Sequence, residues 1–233
     1  MLNETSLGGD QNVFPPTTQG ILAGLQGADY RASLETFCAR YWKPVYAYLR
    51  AAWAKDNDTA KDLTQAFFLF LTEDDALKRF DAARGSLRGY LKVLLRSFVG
   101  HHERSLATLK RGGRVAVVSL DTSGLDPVLS VPVDPEAIFE RVWKTELVAR
   151  AMAALERQGG VAFRIFAAYD LVPDGERPTY GELADRFRVS EAEVKNGLYR
   201  MREELRVGIR SELAQGTLSE RDLEDEWKRL FAG

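Results

Sequence analysis

The chain has one cysteine and two histidines in 233 residues, and that scarcity narrows its chemistry at once. A single thiol, Cys38, excludes an intramolecular disulfide. Its place in the apolar-rich stretch 37–48 predicts a buried, unreactive sulfur. His101 and His102 are neighbours, and adjacent side chains on a helix point in different directions, so no metal site or nucleophilic centre can be assembled around them. Paired carboxylates are the remaining route to catalysis. Asp74-Asp75 and Glu224 to Glu226 lie in polar, solvated runs, so the expectation is a protein that is not an enzyme and needs no cofactor. No apolar run approaches the roughly 20 residues that cross a bilayer, and residues 1–20 have neither a basic start nor an apolar core. The simplest address is the cytoplasm, with no membrane partner. Net charge is also nearly absent, at -2, so nucleic-acid binding would require the charge to be unevenly distributed.

What the chain does have is helical periodicity. Residues 1 to about 27, rich in Gly, Thr and Gln with Pro15-Pro16 as a breaker, read as a loose leader. Apolar residues at helical spacing then run through Tyr30 to Lys55, Thr59 to Leu71 and Ser86 to Leu109, separated by polar breaks at 56–58 and 81–85. Residues 112–135 carry Gly112-Gly113, Gly124, Pro127, Pro132 and Pro135 and lack a repeat. They have the composition of a flexible linker, with Val115 to Leu120 a candidate short strand. Helical patterns resume over Pro135 to Arg157, Val161 to Leu171, Tyr180 to Phe187 and Glu191 to Arg210. A last amphipathic piece, Ser219 to Phe231, gathers Leu223, Trp227, Leu230 and Phe231 on one face and is expected to pack on its own protein. The reading is an all-α chain of two helical domains, 28–111 and 136–210, joined by the linker and followed by a C-terminal extension, 211–233.

The second domain is predicted to contain a helix-turn-helix. Thr179 with Glu182, and Ser190 with Glu193, are two capping-box patterns eleven residues apart, which marks two helix starts. The first helix would bury Leu183, Ala184 and Phe187, and Arg188-Val189 would make the turn. In the second, Val194, Leu198, Met201, Leu205 and Ile209 form one narrow stripe. The opposite face then presents Lys195, Asn196, Tyr199 and Arg206, with Arg200 and Arg202 at its margins. These supply base-edge donors near the helix start and phosphate partners further on. An ordinary capped surface helix is the competing reading.

The first domain supplies a second basic feature. Arg84, Arg88, Lys92 and Arg96 repeat every four residues beside an apolar stripe of Leu87, Leu91, Leu94 and Phe98. Like charges at that spacing repel by ~0.2–0.5 kcal/mol per pair, so an anionic partner explains them better than helix stability does. His101, His102, Arg104, Lys110, Arg111 and Arg114 extend the basic run, which makes it a phosphate-binding candidate as well as a solvated face. Tyr90, on the flank, is placed either to stack on an unpaired base or to edge the core.

Three segments carry a family resemblance. DTAKDLTQAFFLFL, Asp58 to Leu71, resembles the polymerase-binding helix of bacterial sigma factors of the extracytoplasmic-function (ECF) type. FDAARGSLRGYLKVLLRSFVGHHERS, Phe80 to Ser105, resembles their minus-ten-reading helix. YGELADRFRVSEAEVKNGLYRMREEL, Tyr180 to Leu205, resembles their minus-thirty-five-reading helix-turn-helix, and the order and spacing agree. The resemblance implies a sigma factor whose partners are core RNA polymerase and promoter DNA. Asp62, Gln65 and Phe68 would meet the coiled coil of the polymerase's largest subunit. Arg88, Tyr90, Lys92, Arg96, Ser97, His101 and Arg104 would serve the minus-ten element. Lys195, Asn196, Tyr199, Arg200 and Arg202 would serve the minus-thirty-five element. Tyr90 stands where the family commonly has tryptophan, and Ser97 and His101 where asparagine and aspartate are common; Arg188 replaces a common turn glycine, so a side chain is expected where φ is often positive.

Relatives also flank the Asp-Leu-Gln core of the polymerase-binding helix with acids, where this chain has Lys61 and Ala66. A phosphate adds nearly two negative charges, so the sequence nominates Thr64, and after it Thr59, as a switch for a serine/threonine kinase. An anti-sigma regulator is the other expected controller. The rival reading is a helix-turn-helix regulator that acts without core polymerase and dimerises through its first half.

Overall fold

The computed structural model describes residues 20–25, 27, 30–53, 56–81, 84–108, 134–217 and 219–231. Among them every regular element is helical. The candidate strand 115–120, nearly all of the linker and most of the leader lie outside the described residues. No helix among the described residues is long and apolar enough to cross a membrane.

Helix α1, Gly20–Leu25, belongs to the stretch read as a loose leader. Its GILAGL sequence is too short to show a period, yet Ile21 and Leu25 are buried against α2, Tyr30–Trp53. In α2, Phe37, Tyr41, Val45 and Leu49 recur every four residues and are all buried. Pro44 lies inside this helix, where it removes one backbone donor. Helix α3, Asn57–Glu73, starts where Asp56 accepts the Thr59 amide at 2.8 Å. It buries Leu63, Phe67 and Leu71 against the same core. Helix α4, Leu87–Thr108, buries Leu87, Leu91 and Leu95, with Leu94 and Phe98 half-buried at the flank. The predicted stripe is thus rotated slightly, toward Leu95.

Helix α5, Pro135–Gln158, opens on an Asp134 cap that accepts the Glu136 amide at 3.1 Å, with proline at its first position. Gly159 and Gly160, at φ 65° and 88°, turn the chain into α6, Gly160–Asp170; side chains at both would be strained. A 3-10 turn at Asp174–Glu176 leads to α7, Tyr180–Phe187, and α8, Glu191–Ala214. Helix α8 runs past the predicted end at 210 because Ile209, Leu213 and Ala214 continue its buried side. Helix α9, Glu220–Phe231, closes the described chain and docks on the protein as expected, with Leu223 buried.

The sequence suggested two domains on a flexible linker, and the structure adds that the two halves share a core. Phe37, Tyr41 and Leu49 of the first half lie in one cluster with Phe139, Trp143, Leu147, Ile209, Leu213 and Leu223 of the second. Ion pairs seal the seam. Arg40 donates to the Glu212 carbonyl at 2.9 Å and to its carboxylate at 2.7 Å, and Lys43 meets Glu146 at 3.0 Å. A separate cluster, with Leu155, Ile165, Phe166, Leu183, Val194, Leu198 and Met201, holds α6, α7 and α8 together.

Candidate nucleic-acid interface

Two reciprocal caps start α7 and α8 where the sequence placed them. The Glu182 amide donates to Thr179 Oγ1 at 3.2 Å, and the Thr179 amide donates back to the Glu182 carboxylate at 2.7 Å. Ser190 and Glu193 repeat the arrangement at 3.2 and 2.7 Å. These hydrogen bonds hold both glutamate carboxyls below their usual pKa range. Between the helices Arg188 has φ 55° and ψ 51°, the left-handed conformation expected from its replacement of glycine. Gly197 of α8 faces Ala162 of α6, where an added Cβ would make ordinary van der Waals contact at 3.6 Å.

Val194, Leu198, Met201 and Ile209 are buried and Leu205 half-buried, so the outer face of α8 is the one the sequence assigned. Lys195, Asn196, Tyr199, Arg200 and Arg206 are exposed, Tyr199 at 70%. Arg202 differs. It is exposed but makes a two-pronged pair with Asp170, at 2.8 and 2.9 Å, and its ring-facing side lies over Tyr169. That pairing orients it toward α6 and removes it from the free outer face.

The basic face of α4 is placed quite differently from the exposed surface the sequence suggested. Arg88 is buried, at 5% exposure, stacked 4.0 Å over the Trp143 ring and paired with both Glu140 of α5 and Glu226 of α9. Burial lowers its pKa while Glu140 opposes the shift. Lys92 pairs with Glu140 at 2.8 Å and approaches Glu136 at 3.8 Å; Arg96 meets Glu136 at 3.2 Å. Tyr90 is the core-edge aromatic of the two readings. Its hydroxyl donates to the Ala76 carbonyl at 2.8 Å and its ring lies 5.6 Å from that of Phe80. Ser97 and His101 are exposed on α4, and the Arg104 side chain lies outside the described residues.

On α3, Asp62 is exposed and Gln65 half-buried, while Phe68 turns partly inward, its ring 6.1 Å from Phe37 in an edge contact. The sequence reading overlooked Leu69. It stands seven residues after Asp62, on the same outward face, and is 54% exposed. Thr64 requires a correction. It follows Asp62 by two residues, about 200° around the helix, and therefore points inward. It is 1% exposed, and its hydroxyl donates to the Ala60 carbonyl at 2.7 Å. Ala60 itself packs with Ile138 and Val142 of α5. Thr59 is a capping participant, its amide and hydroxyl bonded to Asp56 at 2.8 and 2.9 Å.

A scan against protein-family models and searches of curated proteins and solved structures found no match to this chain. The site therefore stands on its own geometry. Besides Leu69, sequence reasoning missed three acids, Glu136, Glu140 and Glu226, which pair with the basic face of α4. Glu136 and Glu140 carried a signal, since their spacing of four matches that of Arg88, Lys92 and Arg96 across the seam.

Proposed function

We propose that this protein is a sigma factor of the ECF type, which binds core RNA polymerase and directs transcription from specific promoters. One observation supports this reading above the others. The doubly capped α7–α8 pair presents Lys195, Asn196, Tyr199 and Arg200 together near the start of a rigid helix, free of the core. A helix so presented fits the major groove, and long polar side chains at its N-terminal turns reach base edges. The outward stripe of Asp62, Gln65 and Leu69 on α3 is a second surface, part acid and part apolar, suited to a basic and apolar protein partner. The three-segment resemblance assigns these surfaces to promoter and polymerase respectively.

The test is reconstitution. Purified chain is mixed with core RNA polymerase, and the complex is assayed on promoters selected from random duplex DNA. Co-elution with core and transcription that depends on the added chain are expected. Sequence-specific duplex binding by a dimer that ignores core polymerase would overturn the reading in favour of a helix-turn-helix regulator.

A further inference from the structure

We propose that α9 and the first half of α5 form an acidic autoinhibitory latch on the basic face of α4, which must open before that face can bind nucleic acid. The inference rests on the reading of α4 as a nucleic-acid-binding helix. Three cations at four-residue spacing, Arg88, Lys92 and Arg96, meet three carboxylates, Glu140, Glu136 and Glu226. The carboxylates come from two separate helices, and both lie far from α4 in sequence. Each carboxylate supplies to a cation the charge a DNA phosphate would supply, so the two kinds of anion compete for one face.

The strongest part of the latch is the Glu226 contact. This glutamate is buried at 4% exposure, in a helix whose other acids are mostly solvated, and it pairs with Arg88 as well as with Arg229 at 3.1 Å. Helix α9 is held there by its apolar face. Leu223 is buried, Trp227 and Phe231 stack with centroids 4.7 Å apart, and Lys144 of α5 donates to the Leu230 carbonyl from above the Phe231 ring. The attachment is local: α9 packs chiefly on α8. Between α4, α5 and α9 lies a cleft of about 710 Å³, lined by Gly89, Lys92, Glu140, Lys144, Val148 and Arg229. Solvent and competing anions thus reach the Lys92–Glu140 part of the seam, while the Arg88–Glu226 pair stays buried. A short helix, a buried acid and an accessible seam are the parts of a contact that can be exchanged for another anion.

The test uses the full chain with Glu140→Gln and Glu226→Gln combined, which keeps side-chain size and removes the charges facing Arg88. A second version, Leu223→Ala with Trp227→Ala, loosens α9 through its apolar face. Opening is read by hydrogen exchange of α4 and α9, independently of function. Nucleic-acid binding is read with a labelled single-stranded oligonucleotide at fixed salt, and core polymerase binding by co-elution. Faster exchange in both segments, with at least tenfold tighter oligonucleotide binding that Arg88→Ala in the same background abolishes, is the expected result. Unchanged exchange in both versions overturns the latch. Opened variants that still bind core polymerase but gain no oligonucleotide affinity overturn the latch and leave the sigma-factor reading standing. Opened variants that bind neither overturn the reading of α4 and α3, and the latch with it.

Discussion

Replacing Arg188 by glycine should stabilise this protein, and the expected gain follows from one pair of dihedral angles. Arg188 ends α7 at φ 55° and ψ 51°. There its Cβ crowds the following carbonyl, at a cost of ~1–2 kcal/mol for a residue that is not glycine. The position is held by the turn, because the Val189 amide donates to the Ala184 carbonyl at 3.0 Å and the Arg188 amide to that of Asp185 at 3.4 Å. The exposed guanidinium plays no part in those bonds. Glycine removes the crowding but loosens the unfolded chain, which returns ~0.4–1 kcal/mol. The net gain is about 0.5–1 kcal/mol, or a rise in Tm of ~1–4 °C for a chain of this size.

Urea unfolding followed by circular dichroism measures the difference, with Arg188→Ala as the control that keeps the Cβ and discards the charge. The order expected is glycine most stable, with alanine level with or below the parent. If alanine matches glycine, the effect belongs to the arginine side chain and the claim of backbone strain is refuted. The same pair separates turn from surface, since a DNA-binding loss shared by both variants would assign the guanidinium a phosphate contact.

Lys195→Ala and Arg200→Ala should each weaken duplex promoter binding by ~1–3 kcal/mol if they read bases, with the fold and core polymerase co-elution unchanged; unaltered affinity in both would remove the assignment of the outer face of α8. Phe139→Ala empties a fully buried site in the core shared by the two halves and should cost ~3–5 kcal/mol in urea unfolding, whereas a loss under ~1 kcal/mol would mean that the shared core contributes little. Burial pushes the Cys38 thiol up from 9.0 to about 11, so native protein should react with a disulfide reagent at neutral pH at least about tenfold more slowly than unfolded protein, the lost thiolate outweighing its greater nucleophilicity. The sign of its linkage is set by that shift: the folded form keeps its proton while the unfolded form loses it, so this contribution to stability fades as pH rises from 9 towards 11. Thr64→Val should cost only ~1 kcal/mol, the worth of one hydrogen bond, while Thr64→Glu should cost ~3 kcal/mol or more by burying an unpaired charge; equal stabilities would contradict the inward placement of Thr64.

Local rules carried the helices and failed at the seam. The capping boxes at Thr179 and Ser190 could be read because both partners lie three residues apart, and the structure has both. The buried stripe of α8 could be read because its period is internal to one helix. The positive φ at Arg188 was legible through the resemblance alone, in which this position is commonly a turn glycine. The partners of Arg88, by contrast, lie 52 and 138 residues away, at Glu140 and Glu226. No local pattern distinguishes a cation facing phosphate from one facing a distant carboxylate. Helix α1 escaped because six residues are too few to display a period, although two of them suffice to bury an edge of α2. Thr64 was misplaced by counting along the sequence when the angle around the helix decides exposure.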